Sequence, residues 1–403
     1  MLEALPLVFV FIGLALYTVL GGADLGAGFW QLAEHGDSDV REYAHRAMAP
    51  VWEANHVWLI FVLTVFWTAY PSAFGSIAST LAVPLFIALL GLVFRGAAYA
   101  LRAGAASARE SGRIDTIFSV SSILVPFALG AAIGGIATDR VPVGNAQGHL
   151  WSSWLGVTPI VIGVLAVATS AYLAAVFLAA DAARDAESGL ERDFRLRALG
   201  SGVIAGALAI GGIFVVDADD HRLFHSLTSG RALPAVVISA LAGVATLGLV
   251  YRRRYEPARY GAALAVAAIT AGWALSRWPE ILPKLTVHQA AAGHDTLVCL
   301  VVAVLAGGVI LFPSLALLFR LTLTGRFRAD GLAESGRRPA RHGADTRMLS
   351  RLAVASAVAG FGLLNVADAA WAHGLGVACL FAFILAGFGA VMGTVVRDDG
   401  AGT

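Results

Sequence analysis

The sequence predicts an all-α polytopic membrane protein of eleven spanning helices. Nine form one bundle, an additional C-terminal two-helix hairpin follows, and the chain runs N-outside, C-inside. Three observations carry this reading. The chain of 403 residues is 58% hydrophobic and only 14% charged, against roughly a quarter charged in a soluble domain. It contains eleven segments that meet the requirement of about 20 mostly apolar residues for crossing a bilayer. Its basic residues alternate in abundance from one connection to the next, as cytoplasmic enrichment in Lys and Arg demands.

The segments lie near 5–27, 48–70, 76–101, 116–138, 156–181, 198–217, 233–251, 259–277, 294–320, 348–367 and 371–395. The first opens MLEALPLVFVFIGLALYTVL, with Glu3 and no Lys or Arg. A cleaved secretory signal has a basic n-region, so this segment is expected to remain as a helix. The second and third are joined by YPSAFGS, where Pro71 and Gly75 supply a tight connection; an antiparallel hairpin is expected. DADDHRLFH, residues 217–225, mixes acids with two histidines at the end of the sixth segment. Its spacing fits no zinc pattern, and it reads as a solvated loop. Asp295, in GHDTL, N-caps or begins the ninth segment. The connection 321–347, rich in Arg and Gly without apolar periodicity, reads as a flexible cytoplasmic linker. The expected organisation is a bundle over 1–320, this linker over 321–347, and the hairpin over 348–395, with Asp368 at the outer surface between its helices. Tryptophans 151, 154, 278 and 371 fall at expected interfaces and read as an aromatic belt.

Of the 28 basic residues, 27 are arginine and Lys284 is the lone lysine. Connections assigned to the cytoplasm hold 23 of them and the outer ones five, which sets the orientation. Neither GxxxxGK[ST] nor a strand-borne GxGxxG occurs, so ATP-driven transport has no support. Cys299 and Cys379 sit in apolar runs without CxxC or CxxCH spacing and read as packing residues. No nucleic-acid partner is expected.

Two acids stand out: Asp24 in GGADLGAGFW and Glu53 in PVWEANHVWLI. A charged group at a helix centre costs about 2.5–3.5 kcal/mol on insertion scales, and intramembrane acids mark ion or proton routes. The orientation puts both toward the cytoplasmic half. Glu53 and His56 are three apart and share a helix face, beside Trp52 and Asn55. A desolvated carboxyl there is a candidate for proton exchange near neutral pH. Glycines 21, 22, 26 and 28 leave room for close helix contact or for water around Asp24. The competing reading is structural: each carboxyl hydrogen-bonds nearby backbone or pairs with an arginine such as Arg41 or Arg46. Of ten histidines, His56 alone is clearly within a span, and a lone histidine on an apolar helix is more often a satisfied polar residue than a ligand. Haem needs axial ligands inside a bundle, so this chain is expected to bind no haem of its own; no metal-binding, cofactor-binding or catalytic residue is singled out.

GGADLGAG and PVWEANHVWLI resemble the signatures of subunit II of the cytochrome bd-type quinol oxidases, including their cyanide-insensitive relatives. FWTAYPSAF, FRGAAYALR and WPEILPKLTVHQAAAGHDTL extend the resemblance over about residues 1–320. It implies a nine-helix subunit in the bacterial cytoplasmic membrane, inactive without a haem-bearing subunit I that holds two b-type haems and haem d. The implied complex oxidises quinol near the outer face and reduces oxygen to water with cytoplasmic protons. By motif, Asp24 and Glu53 take the positions the family associates with the proton route, and His56 joins them on Glu53's face. The resemblance leaves open a structural quinone in this subunit and a small accessory subunit. The hairpin 348–395 is an addition to the nine-helix pattern, with two open readings: covering a lipid-facing surface, or replacing such an accessory subunit. A proton-coupled secondary transporter is the main alternative, although no inverted repeat is visible. A purely structural assembly subunit is a third.

Overall fold

Apolar runs interrupted by short charged or glycine-containing connections fold as helices in the computed structural model, which describes residues 2–33, 43, 52–102, 107–323, 344–366 and 370–399. Helix α1 is one rod in three parts: Leu5–Leu16, a π-helical turn at Tyr17–Gly21, and Gly22–Ala33. It is followed by α2 (Trp52–Ala69), α3 (Pro71–Thr80), α4 (Ala82–Arg102), α5 (Ala108–Ala137) and α6 (Val157–Arg184). Next come α7 (Ser188–Asp219), α8 (His221–Thr228), α9 (Leu233–Tyr251) and α10 (Tyr255–Arg277). A small hairpin of β1 (Glu280–Leu282) and β2 (Leu285–Thr286) leads through α11 (Val287–Ala290) into α12 (His294–Leu323). Helices α13 (Ala344–Val366) and α14 (Ala370–Asp399) complete the described chain. Among the described residues eight helices are long and apolar enough to cross a membrane, and α2, α13 and α14 carry shorter apolar stretches. The all-helical, multi-pass reading therefore holds.

Several local expectations are corrected. YPSAFGS is not a tight loop: Pro71 opens α3 at a position where its missing N–H costs nothing, and the chain breaks instead at Leu81. Pro84, near the start of α4, has no N–H to offer the Thr80 carbonyl, so the helix cannot run through. The expected hairpin of the second and third segments does not close, because α2 packs chiefly on α1 and α4 packs on α5. Residues 217–225 form no loop. Asp217 and Asp219 end α7, and Asp220 caps α8 by accepting from the Leu223 N–H at 3.0 Å. Asp295, by contrast, begins α12 as expected, as its second residue. Trp154 is 6% exposed and packs in a core, unlike Trp151 at 54%. Cys299 is exposed on α12, not packed. Asp368, Arg41, Arg46 and most of 321–347 lie outside the described residues.

The chain divides into two units, Met1–Leu311 and Phe312–Thr403, with the boundary inside α12. In the first, one core joins Val19, Ala23 and Ala27 of α1 to the buried run Tyr172–Ala180 of α6, with Phe194 and Ala198 of α7 and Ala258, Ala262 and Val266 of α10. Small residues dominate because, where apolar lipid gives helices little reason to associate, close backbone approach is what holds them. A second core gathers Tyr70, Ala73 and Leu81 with Trp154, Leu282, Leu285 and Leu297. There the Tyr70 hydroxyl donates to the Glu3 carbonyl at 2.6 Å, and the Ala292 N–H donates to Ala69 O at 2.8 Å. The second unit contains the α13–α14 pair, with Ala353, Ala372 and Ala386 buried; a Cβ on Gly360 would lie 2.8 Å from Leu380 Cδ2.

Ion pairs fasten opposite ends of the first unit. At one, Arg259 pairs with Asp181 and donates to Phe177 O at 2.7 Å, while Arg184 reaches Glu256 at 2.8 Å. At the other, Arg140 holds Asp219 at 2.8 Å, Arg277 holds Asp139, and Arg222 reaches Glu280 at 3.1 Å.

Among the described glycines the tightest approach is at Gly26, where a Cβ would stand 1.9 Å from the Ser170 carbonyl oxygen of α6. Backbone cannot yield as a side chain can, so Gly26→Ala is expected to destabilise by about 1–3 kcal/mol or more. The check is a lower melting temperature and yield of the purified protein. Gly206→Ala, with nothing within 4 Å of the added carbon, should be neutral or slightly stabilising.

Candidate functional site

Asp24 is in the first turn of the last part of α1, three residues after the π turn, and is fully buried. Its motif explains how a carboxylate gets there. Gly26 seats α1 against the α6 backbone, and a Cβ on Gly28 would collide with Ser122 of α5 at 2.2 Å from its Oγ. The glycines thus serve close helix contact, and Asp24 is drawn inward with them.

The charge is met by Arg95 of α4, itself 2% exposed. One guanidinium nitrogen, Nη2, donates to Asp24 Oδ1 at 2.7 Å and to the Asp24 carbonyl at 3.1 Å. The other, Nη1, donates to Ser122 Oγ at 2.6 Å, and Ser122 in turn donates to Phe118 O at 2.6 Å. The guanidinium lies 4.3 Å from the Phe118 ring centroid, within cation–π range. The arrangement binds α1, α4 and α5 through one cation. It also satisfies the rule that buried charges are paired and hydrogen-bonded.

Around this pair the π turn and α2 add polar groups. A π turn widens the helix by a residue and is frequent at functional sites. Here Asn55 Nδ2 donates to Leu20 O at 3.2 Å, joining α2 to the turn. The His56 ring, half-buried, meets the Tyr17 ring edge-on at 6.3 Å between centroids. Glu53 is in the first turn of α2; its side chain lies outside the described residues. The structure thus gathers Asp24 and His56 about one seam, with Arg95, Tyr17, Ser122 and Asn55, and puts Glu53 at the start of the helix that carries His56. Among the described residues no group of three His, Cys, Asp or Glu could hold a metal, and 217–225 forms none.

Arg95 falls inside the third apolar segment, 76–101, yet it counts among the 23 cytoplasmic basic residues and is not singled out from the sequence. The signal was present: an arginine seven residues inside the apolar run AVPLFIALLGLVFRGAAYALR is as costly as the two acids, and a buried acid calls for such a partner. Tyr17 and Ser122 carried no comparable sign.

A family model for cytochrome bd terminal oxidase subunit II matches residues 2–322. The chain is 24% identical over 298 residues to a cytochrome bd ubiquinol oxidase subunit 2 of Bacillus subtilis, covering 71% of this chain and 85% of that one. It is 25% identical over 120 residues to the cytochrome bd-I ubiquinol oxidase subunit 2 of Escherichia coli K12, covering 30% and 32%. Among solved structures, a chain of the bd oxidase from Geobacillus thermodenitrificans superposes with a TM-score of 0.65 at 26% identity, covering 80% of this chain and 99% of that chain. Helices α13 and α14 lie beyond the matched residues. With four-fifths of its length matched, the chain belongs to the cytochrome bd terminal oxidase subunit II family.

Proposed function

We propose that this chain is the haem-free second subunit of a quinol-oxidising terminal oxidase, and that it scaffolds a haem-bearing subunit I and supplies part of its cytoplasmic proton route. The observation that carries the reading is the polar seam of Asp24, Arg95, Tyr17 and His56 inside a chain of this family. The relatives' names specify ubiquinol and, for a second Bacillus subtilis protein, menaquinol, which supports a quinol as the donor. The haems belong to the partner, since one span-borne histidine in this sequence is too few for a haem set. The proton-coupled transporter reading loses its support with the family membership.

The arginine bias supports the orientation. Setting buried Arg95 aside leaves 22 basic residues on one side and five on the other, so the N-terminus is outside and the α1–α2 connection faces the cytoplasm. Glu53, at the start of α2, then stands at the proton entry, His56 one turn further in, and Asp24 beside them on α1. A second reading is favoured by the ion pair itself: Asp24 and Arg95 serve only to lock α1 to α4, and the route is Glu53 and His56 alone.

A tagged copy expressed with its native operon should co-purify with a partner that absorbs in the visible region. A preparation without haem would sink the assignment. Glu53→Ala should lower quinol-dependent oxygen consumption at least about tenfold, in the range of a lost acid–base group, with the haem spectrum of the complex intact. Normal turnover rules out its place in the route, and loss of haem moves it to assembly. Asp24→Asn should cost about 3–5 kcal/mol of stability, because Arg95 is left buried without its anion. Replacing both, Asp24→Leu with Arg95→Met, separates the two readings. Recovered assembly with slow turnover assigns the pair to the route, and recovery of both assigns it to structure.

A further inference from the structure

Among the described residues three buried polar atoms of this seam have no hydrogen-bond partner: Tyr17 Oη and, within the ion pair itself, Asp24 Oδ2 and Arg95 Nε. Their side chains are 5%, 0% and 2% exposed, so bulk water does not reach them. Native interiors satisfy nearly all such groups, with protein or with ordered water. The single-pronged geometry leaves two of them over: Arg95 uses Nη2 on Oδ1 and Nη1 on Ser122, so Oδ2 and Nε are the atoms of the pair that remain. Tyr17 belongs to the same seam, its ring against that of His56. Its ring lies over Gly21, where a Cβ would be 2.9 Å from Cε2 and 3.5 Å from Cζ, and Asp24 follows three residues later on the same face.

We propose that these three groups enclose a bound water molecule. It accepts from Arg95 Nε–H and from the Tyr17 O–H, and it donates to Asp24 Oδ2. Three partners are the usual complement of a buried water. The Tyr17 hydroxyl is then a positioning residue that holds the water against the carboxylate, and the His56 ring at the edge of Tyr17 gives the site a neighbour on α2. The glycine at 21 is part of the device, because any side chain there would push the tyrosine ring off the helix. The functional half of this inference rests on the proton-route reading above; the water itself does not.

The experiment is a cryo-EM map of the assembled oxidase, at a resolution that shows ordered waters, for wild type and Tyr17→Phe, together with turnover and haem content of both. Phenylalanine keeps the ring and its packing, and haem content reports assembly directly. The expected wild-type map has a water within hydrogen-bond distance of Tyr17 Oη, Asp24 Oδ2 and Arg95 Nε. In Tyr17→Phe that water is lost, and quinol-dependent oxygen consumption falls about tenfold at unchanged haem content, the size of one lost hydrogen bond to a charged network. An empty site in the wild-type map overturns the inference, and so does Tyr17→Phe turning over at the wild-type rate. If Glu53→Ala is slow while Tyr17→Phe is normal, this inference fails and the proton route stands. If both are normal, the route fails as well.

Discussion

A carboxylate with no exposure, carried on the first spanning helix, constrains everything around it. Asp24 can be kept in an apolar bundle only with its charge compensated, and the compensating cation, Arg95, is on α4, 71 residues away in sequence. Meeting that demand fixes α4 against α1. The remaining arm of the guanidinium takes Ser122, which fixes α5 against both. Helix packing alone is permissive about rotation and sliding, since an apolar stripe fits in several registers. An ion pair with two further hydrogen bonds is not, and it gives the α1–α4–α5 group one register. Gly26 and Gly28 serve the same packing, since α1 lies against the α6 backbone at Ser170 and against the Ser122 side chain of α5.

The same pair explains what could and could not be read from the sequence. The helices were legible because a long apolar run has few alternatives in a bilayer, where every backbone group must be satisfied within the segment. Asp24 was legible because its charge is expensive. Arg95 obeys the same rule, but it lies seven residues before Arg102 at the end of α4, and a charge near the end of an apolar run reads as a connection. Depth along a helix is a three-dimensional quantity. It depends on where the neighbouring helices end, which hydropathy does not record. The break at Leu81 was hidden for a related reason: Pro71 and Gly75 signal a turn equally well as loop residues or as the first turns of a short helix, and tertiary packing of Ala73 and Ser76 decides. Trp154 shows the limit of residue type, since belt and core tryptophans look alike until the Tyr70–Leu282 core is assembled beneath one of them. For the candidate site, Asp24 and His56 were found, and Tyr17 was not, because a tyrosine in an apolar run is unremarkable until its hydroxyl is seen to be orphaned.

The division into two units has a chemical counterpart. The family match ends at residue 322, and the charged seam lies wholly before it. Beyond it, α13 and α14 meet along alanines and glycines, with Val354, Val358, Phe381 and Leu385 exposed. Those are the features of a pair that holds together by close backbone contact and presents bulk to an apolar surrounding.

On that proposal, structure and conduction are not rival uses of the seam. A proton in an apolar interior bears the same penalty as any other charge, so a path needs groups that can share it: carboxylates, imidazoles, hydroxyls and waters. The Asp24–Arg95 pair brings no net charge of its own, and its residual dipole falls off quickly with distance. It therefore holds polar atoms at membrane depth without adding a net charge there. The π turn and Asn55 do the complementary job, coupling α2 to α1 through Leu20 O so that His56 is held beside Tyr17. A bundle that needed Asp24 and Arg95 merely as a fastener could have used an apolar contact of similar volume, which is often neutral or better in stability. A buried ion pair with orphan polar atoms beside it makes sense where the polarity itself has a use, and proton supply to a partner that makes water from oxygen is such a use.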